Sequence, residues 1–268
     1  MHDRERAFVI LNMLRQQPVV YVSQIVEATG ASAASVRRDI ARLVEGGQAR
    51  RVHGGVERRG ADDQQNAAPL ATRAFDVSQT LHGGAKRAIA RAAVAMCADG
   101  EAIIINGGTT TFQMADFLRE RHLKILTNSY PLAERLINES QNRVALPGGE
   151  VYREQKLIVS PFDDDAIQHY SASVMFMSAI SIGPLGVIEG DPLIARAEAK
   201  LLRRAEKLVV LADSSKFARR GSLVVCPLAR VDTLITDDAA PAEALDMLRA
   251  AGVKIMQVLR EDMASSAA

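Results

Sequence analysis

Ser32-Ala33-Ala34-Ser35-Val36-Arg37-Arg38-Asp39-Ile40, followed after Gly46-Gly47 by Arg50-Arg51-Val52-His53-Gly54-Gly55-Val56, decides the reading of the first quarter of this chain. Ser32 is a good N-cap, and Val36, Ile40 and Leu43 fall on one face of the helix it starts, with Arg37, Arg38 and Arg42 elsewhere. Gly46-Gly47 stops that helix. Two extended pieces follow, Ala49–Val52 and one from Val56, joined at His53-Gly54-Gly55.

Working back toward the start, Arg4 to about Arg15 reads as a helix carrying Phe8, Leu11 and Leu14 with Val9 and Ile10 at helical spacing, ended by Pro18. The apolar Val19–Val22 leads to Ser23, read as the cap of a helix over Gln24–Ala28, and Gly30 supplies a left-handed turn in Thr29-Gly30-Ala31. Three helices and a two-stranded ribbon are the winged helix-turn-helix plan, expected over residues 1–57. In that plan the second helix of the motif enters the major groove by its N-terminal residues. The candidate contacts to double-stranded operator DNA are therefore Ser23, Ser32, Ala33, Ala34, Ser35, Arg37, Arg38 and Arg42, with Arg50, Arg51, His53 and Gly54 on the wing. Small residues at the helix start permit close approach. Arg37 and Arg38 point about 100° apart, so one is expected at bases and the other at the backbone.

Charge agrees with this division. Residues 1–60 hold ten arginines against six acidic residues, while the remainder holds 23 basic residues against 26 acidic ones, so a basic head precedes a slightly acidic body although the whole chain carries only +1. Cys97 and Cys226 lie far apart in apolar surroundings, without metal-ligand spacing, and read as buried hydrophobes in a reducing compartment; neither metal nor cofactor is expected. The charged start is no secretory signal, and no apolar run approaches the ~18 residues of a membrane span, so a cytoplasmic protein with no membrane partner is expected.

Residues 58–82 are polar, rich in Ala, Gln and Asp, and read as a linker. Beyond them, expected helices at Lys86–Cys97, Phe112–Leu118, Pro131–Asn138, Ala195–Arg204 and Pro241–Ala251 alternate with expected strands at 102–105, 123–127, 143–146, 174–182, 208–212, 231–236 and 253–258. Continuous apolar strands alternating with helices give a mostly parallel α/β sheet covered on both faces, over residues 83–260, with 261–268 a flexible tail.

The carboxyl ends of parallel strands converge on one crevice, which makes the turns after them informative. Asn106-Gly107-Gly108-Thr109-Thr110-Thr111 offers small residues, hydroxyls and a following helix start, a combination suited to an anion. It has neither Walker nor dinucleotide-fingerprint spacing, and a mere tight turn is the alternative reading. Thr127-Asn128-Ser129, Pro147-Gly148-Gly149 and Asp213-Ser214-Ser215-Lys216 end other expected strands. Lys86 and Lys216 are the expected cations, and Asn128 and Glu198 the groups for hydroxyl recognition; Lys200, two residues from Glu198 on one helix, should diverge from it. Asp163-Asp164-Asp165 reads as a solvated loop.

The run Ser32–Ile40 resembles the recognition-helix signature of the DeoR family of bacterial sugar-metabolism repressors, and Arg50–Val56 resembles that family's wing. Asn106–Thr111, Thr127–Ser129, Glu198-Ala199-Lys200 and Asp213–Phe217 are similar to motifs of its sensor domain, so the resemblance spans roughly residues 1–258. It implies a body resembling ribose-5-phosphate isomerase and a phosphorylated carbohydrate as effector. Three departures stand out: Asn106 where Asp is usual, Ser160-Pro161 for Gly-Pro, and Ser181-Ile182-Gly183-Pro184 for a Gly-Ala-Asp-Gly-like turn. The last two resemble the ascorbate-utilisation repressor branch, which implies a sugar-acid phosphate.

Two functions follow as expectations. One is a non-enzymatic repressor of a carbohydrate operon, a homodimer or homotetramer released from its operator by the effector. The other is a sugar-phosphate isomerase with a DNA-binding appendage, using Glu198 with Lys200 or Lys216 for proton transfer.

Overall fold

The computed structural model describes residues 3–16, 19–45, 49–52, 54–58, 75–160, 162, 165–218 and 221–261. They fall into two compact units, one within Met1–Ala68 and one within Pro69–Ala268.

The first unit runs α1 (Asp3–Gln16), β1 (Val19–Tyr21), α2 (Val22–Thr29), α3 (Ala33–Glu45), β2 (Ala49–Val52) and β3 (Gly55–Arg58). Ile10 and Leu14 of α1, Ile25 of α2 and Val36, Ile40 and Leu43 of α3 bury the apolar faces read from the sequence, joined by Val20, Ala49 and Val56. Each such side chain removed from water contributes ~1.5–3 kcal/mol before ordering costs, which is how so small a unit acquires a core. The wing differs from expectation. Val19–Tyr21 is a strand, pairing Val20 with Val56, so the ribbon has three strands in the order β1-β3-β2. Helix α2 also starts earlier than Ser23: Tyr21 is its N-cap, its backbone N–H donating to Gln24 Oε1 at 2.8 Å, and Ser23 is an exposed residue of the first turn. Ser32 does cap α3, accepting from Ser35 N at 3.3 Å, and Gly30 closes α2 at φ 65°. Asp39 is buried and receives Arg6 Nε at 2.8 Å, tying α3 to α1.

The second unit opens with α4 (Phe75–Gln79) and α5 (Gly83–Ala95). Part of the expected linker 58–82 is thus ordered structure: Phe75 is buried and sets its ring edge-on to Phe112, 5.5 Å between centroids. Then come β4 (Ala102–Ile105), α6 (Thr109–Phe112), α7 (Ala115–Leu118), β5 (Lys124–Thr127), α8 (Tyr130–Glu139) and β6 (Arg143–Ala145). A hairpin follows, β7 (Glu150–Tyr152) and β8 (Leu157–Val159), then β9 (Ala172–Ser178), β10 (Ser181–Gly183), β11 (Gly186–Glu189) and α9 (Pro192–Leu202). The chain closes with β12 (Ala205–Leu211), β13 (Leu223–Cys226), β14 (Thr233–Asp237), α10 (Ala242–Ala250) and β15 (Lys254–Val258).

Seven strands form a parallel sheet in the order β15-β14-β12-β9-β4-β5-β6. Alternate residues feed opposite cores. Val174 and Phe176 of β9 face one cluster with Ile89 and Leu132, and Met175 and Met177 face another with Leu201 and Leu248. Burial on both faces is why these strands read as unbroken apolar runs. From β4 the chain adds β5 and β6 on one side, then returns to place β9 on the other. The strand order reverses between β4 and β9, and in open parallel sheets the carboxyl ends at such a reversal are where ligands bind.

Three expectations differ from the structure here. The helix read over Phe112–Leu118 is two short helices, and the strand read over Val174–Ile182 stops at Ser178, after which β10 starts a separate antiparallel sheet with β11 and β13. The β7–β8 hairpin had no counterpart in the sequence reading. Glu261, assigned to the tail, pairs with Arg87 Nε at 3.3 Å and donates its N–H to Gly84 O at 3.4 Å. Pro161, Asp163, Asp164 and residues 262–268 lie outside the described residues.

Gly149, at φ 145°, starts the hairpin so close to Val159 that a Cβ would overlap the Val159 carbonyl. Gly149→Ala should therefore cost ~1–3 kcal/mol, read as a lowered thermal midpoint of the full chain; an unchanged midpoint would refute the backbone argument.

Candidate functional site

In the first unit, Ser32, Ala34, Arg37, Arg38 and Arg42 are exposed on α3, and Ala33 and Ser35 are half-buried beside them. The side chain of Arg42 lies 4.0 Å from Asp39, whereas Val36 and Ile40 anchor the helix underneath. Arg51 is exposed on β2 and Gly54 turns at φ 75°; Arg50 lies on the same strand, and His53 lies outside the described residues. Arg37 and Arg38 thus stand on the outer face of a helix fixed by its apolar side, the placement a groove-reading helix needs.

In the second unit the tips of β4 and β9 are locked to each other. Asn106 Oδ1 accepts from Ser178 N at 2.8 Å while Asn106 Nδ2 donates to Ser178 O at 3.3 Å and to Glu198 Oε1 at 2.7 Å. Ser178 Oγ in turn accepts from Thr111 N at 3.1 Å and lies 3.2 Å from Thr111 Oγ1. Gly107 N donates to Asn128 Oδ1 at 2.8 Å, which brings in the tip of β5. Asn106, Thr110, Thr111, Asn128 and Glu198 are buried, and Gly107, Gly108 and Thr109 partly so. Two buried atoms of this cluster, Asn128 Nδ2 and Glu198 Oε2, have no hydrogen-bond partner. An unmade bond at a buried polar atom is costly, so both are positions where a ligand oxygen would be stabilising.

The glycine pair has a different cause from the one the sequence suggested. A Cβ on Gly107 would overlap the Leu157 side chain, and one on Gly108 would overlap Ser178. The glycines admit protein neighbours. The following helix, α6, is a single turn, too short to contribute much dipole. Thr127 and Ser129 also serve local structure: Thr127 Oγ1 accepts from Ser129 N at 3.1 Å and Ser129 Oγ from Leu132 N at 3.3 Å, capping α8.

Lys86 is buried on α5 and donates to Ser78 O at 2.6 Å. Asp213, at the tip of β12, has one carboxylate oxygen held by Ser215 N at 3.1 Å and the other without a partner. Burial alone would raise the Asp213 carboxyl, but the charge of Lys216, the Ser215 hydroxyl, and Lys86 and His82 outweigh it and leave the group below its ordinary range. Lys86 and Lys216 therefore both act on the same tip. Glu198 goes the other way. Burial first, then the neighbouring Glu189 carboxyl, push it well above the usual range, with Asn106 opposing. Glu189 is itself raised by burial, against the N–H groups of Gly190 and Asp191.

Not every nominated residue converges. Lys200 leaves the cluster, pairing with Asp165 Oδ2 at 2.8 Å and with the Phe162 carbonyl. Asp165, expected in a solvated loop, is half-buried; burial tends to raise its carboxyl, but the Lys200 bond holds it below the ordinary range. Gly148 and Gly149 are exposed where the hairpin begins, and among the described residues no hydrogen bond joins them to Asn106. Conversely, Ser178, Glu189 and Asp213 were not nominated. Ser178 was hidden inside what read as one continuous strand. Glu189 gave no local signal, and Asp213 only that of its turn.

Both cysteines are buried, free thiols. Burial, aided by Glu101, pushes Cys97 up to about 12, and burial raises Cys226 to about 11. No group of residues suited to a metal ion occurs among the described residues, and none of their helices is long and apolar enough to cross a membrane. A separate cleft at the amino ends of β9, β12, β14 and β15, lined by Met96, Glu101, Ser173 and Lys254 among others, contains none of the nominated residues.

A groove-reading helix on one unit and a buried polar cluster at a strand-order switch on the other define a two-domain DNA-binding transcription regulator. The chain belongs to the DeoR family: residues 6–60 match the DeoR-like helix-turn-helix domain and residues 81–238 the DeoR C-terminal sensor domain. It is 35% identical over 258 residues to the HTH-type transcriptional regulator UlaR of Shigella dysenteriae serotype 1 (strain Sd197), covering 96% of this chain and 100% of that protein. The same values hold for UlaR of Escherichia coli O127:H6. Among solved structures, ribose 5-phosphate isomerase A of Methanocaldococcus jannaschii overlaps 49% of this chain and 53% of its own, at 17% identity and TM-score 0.36. The β subunit of eIF2B from Chaetomium thermophilum overlaps 57% and 48%, at 14% identity and TM-score 0.40. Overlaps this partial carry no functional argument. The relatives matched over the full chain are named as regulators, and the isomerase alternative is set aside.

A raised carboxyl binds its proton more tightly in the folded chain than in the unfolded one, so folding stability falls as pH rises from the unfolded value of ~4.3 toward the folded one. Glu198→Gln cannot ionise and should remove that loss. The thermal midpoint of the variant relative to wild type should climb as the pH rises above ~4.3. Parallel midpoint curves would show that Glu198 is ionised when folded.

Proposed function

We propose that this regulator represses a carbohydrate-utilisation operon and leaves its operator when a phosphorylated sugar or sugar acid occupies the crevice at the tips of β4, β5, β9 and β12. The observation that carries the reading is the pair of buried, unpartnered atoms, Asn128 Nδ2 and Glu198 Oε2, in a crevice whose β12 tip lies in the field of Lys86 and Lys216. Lysines suit a phosphate, and a neutral carboxyl with an amide suits hydroxyl or carbonyl oxygens. Lys200 is engaged with Asp165 and so does not stand with Glu198 for proton transfer, which favours binding over catalysis. No cofactor enters this scheme. The DNA side rests on Arg37 and Arg38, with Ser32, Ser35, Arg42, Arg50, Arg51 and the wing tip at His53-Gly54 as supporting contacts. The active form is a homodimer or homotetramer in the cytoplasm, since winged heads read paired half-sites.

The effector must bind the DNA-free arrangement more tightly, and a preference of about 100-fold supplies ~2.7 kcal/mol of coupling. Gel shifts on the DNA upstream of the operon, titrated with a panel of sugar phosphates and sugar-acid phosphates, should find a compound that releases the complex at or below millimolar concentration. A panel with no active member removes the effector reading. Arg37→Ala should weaken operator binding by ~1–3 kcal/mol if it contacts a base; an equal loss on unrelated DNA assigns it to phosphates instead.

A further inference from the structure

Helix α4, Phe75–Gln79, is the last described element upstream of α5, and the chain leading from it toward the N-terminus ends in the DNA-reading unit. Five residues form too short a helix to be stable alone, so α4 exists because the sensor unit holds it. Its attachments run to three parts of the crevice.

The first is Lys86, whose ammonium donates to Ser78 O at 2.6 Å while its charge acts on Asp213 at the β12 tip. The second is Phe112, the last residue of the glycine-threonine turn, which takes the edge of the Phe75 ring. The third is the β7–β8 hairpin. Phe75 N donates to Glu154 O at 3.0 Å, and Lys156 Nζ pairs with Asp76 Oδ1 at 2.6 Å and lies 5.6 Å from the centre of the Phe75 ring. The same hairpin closes over the crevice. Leu157 fills the space above Gly107, Ile158 N donates to Asn128 O at 2.8 Å, and Tyr130 N donates to Lys156 O at 3.1 Å. Lys156 adopts φ 54°, a conformation that a non-glycine residue rarely takes, at the point where one backbone serves both roles.

An anion in the crevice competes with the Ser78 carbonyl for the Lys86 ammonium. A ligand touching Gly107 or Asn128 pushes on Leu157 and Ile158, hence on the strand that carries Lys156. Neither can bind without altering what holds α4. We propose that α4 is the coupling element of this regulator: occupancy of the strand-tip crevice changes the anchoring of Phe75–Gln79, and this change in the segment that continues to the head sets operator affinity. The proposal rests on the effector reading above and adds the route by which that effector acts.

The test uses the full chain and two readouts. Hydrogen exchange is followed with inorganic phosphate against chloride at equal ionic strength. Protection of amides in 106–111 together with about threefold faster exchange in 75–79 is expected. Protection of 106–111 with 75–79 unchanged overturns the coupling and leaves the effector site standing; no protection of 106–111 removes the site and the coupling with it. Operator affinity is then measured without ligand for Asp76→Ala and Lys156→Asn. Asn tolerates the left-handed backbone, and the two changes cut one ion pair with opposite effects on net charge. Both should shift affinity in the same direction by about threefold or more. Opposite shifts would mark a bulk-charge effect, and either that result or unchanged affinities would overturn the proposal.

Discussion

The reciprocal hydrogen bonds between Asn106 and Ser178 hold this sensor together at its most vulnerable place. Where the strand order of a parallel sheet reverses, two neighbouring strands send their chains to opposite sides and no loop joins them. Asn106 spans that divide with both faces of its amide, and a third bond reaches Glu198 on α9. A carboxylate at position 106 would accept from Ser178 N but could donate to neither Ser178 O nor Glu198. The amide is therefore what lets one side chain bridge both strands and reach α9, and its bond to Glu198 partly offsets the effect of burial on that carboxyl.

Charge in the crevice follows the same logic. On its Glu198 side buried amides and hydroxyls surround a carboxyl whose proton is held more tightly than usual, whereas on its Asp213 side the charges of Lys216 and Lys86 favour the ionised carboxyl. A ligand with an anionic end and a hydroxylated end meets a complementary surface at each. Burial makes both halves sharp, since a partner omitted from a low-dielectric site costs more than one omitted at the surface.

Much of this was legible in the sequence. Arg37-Arg38 on a helix whose other face carries Val36, Ile40 and Leu43 announced the head, because a 3.6-residue period separates the two faces clearly. The unbroken apolar runs at 102–105 and 208–211 announced a sheet buried on both sides. Misreadings arose where the signal was shorter than the element or depended on distant partners. Val19–Tyr21 is a strand only because Val56 is there to pair with it. The hairpin at 150–159 has strands of only three residues each, too short to show a period. Ser178 ends β9 with no breaker after it, so the strand seemed to continue into Ile182. At the strand tips, several of the turn residues serve local structure. Ser129 caps α8 and Thr127 holds the Ser129 backbone N–H, and the glycines at 107 and 108 make room for Leu157 and Ser178. Lys200 and Glu198 diverge as their spacing requires, and only tertiary structure tells which one turns to the strand tips.

The position of β9 at the centre of the sheet has a consequence for how the molecule comes into being. The head closes its core from residues within the first sixty or so, whereas β4 waits for a partner roughly seventy residues later in the chain. During synthesis the DNA-binding unit is complete well before the sensor can assemble, because domains fold as they emerge and distant strand pairings form late. A product truncated between about residue 60 and Ala172 would keep the core residues of the reading head and lose the strand on which both halves of the sheet lean. Nonsense alleles in that interval leave a fragment able to meet DNA yet deaf to any metabolite.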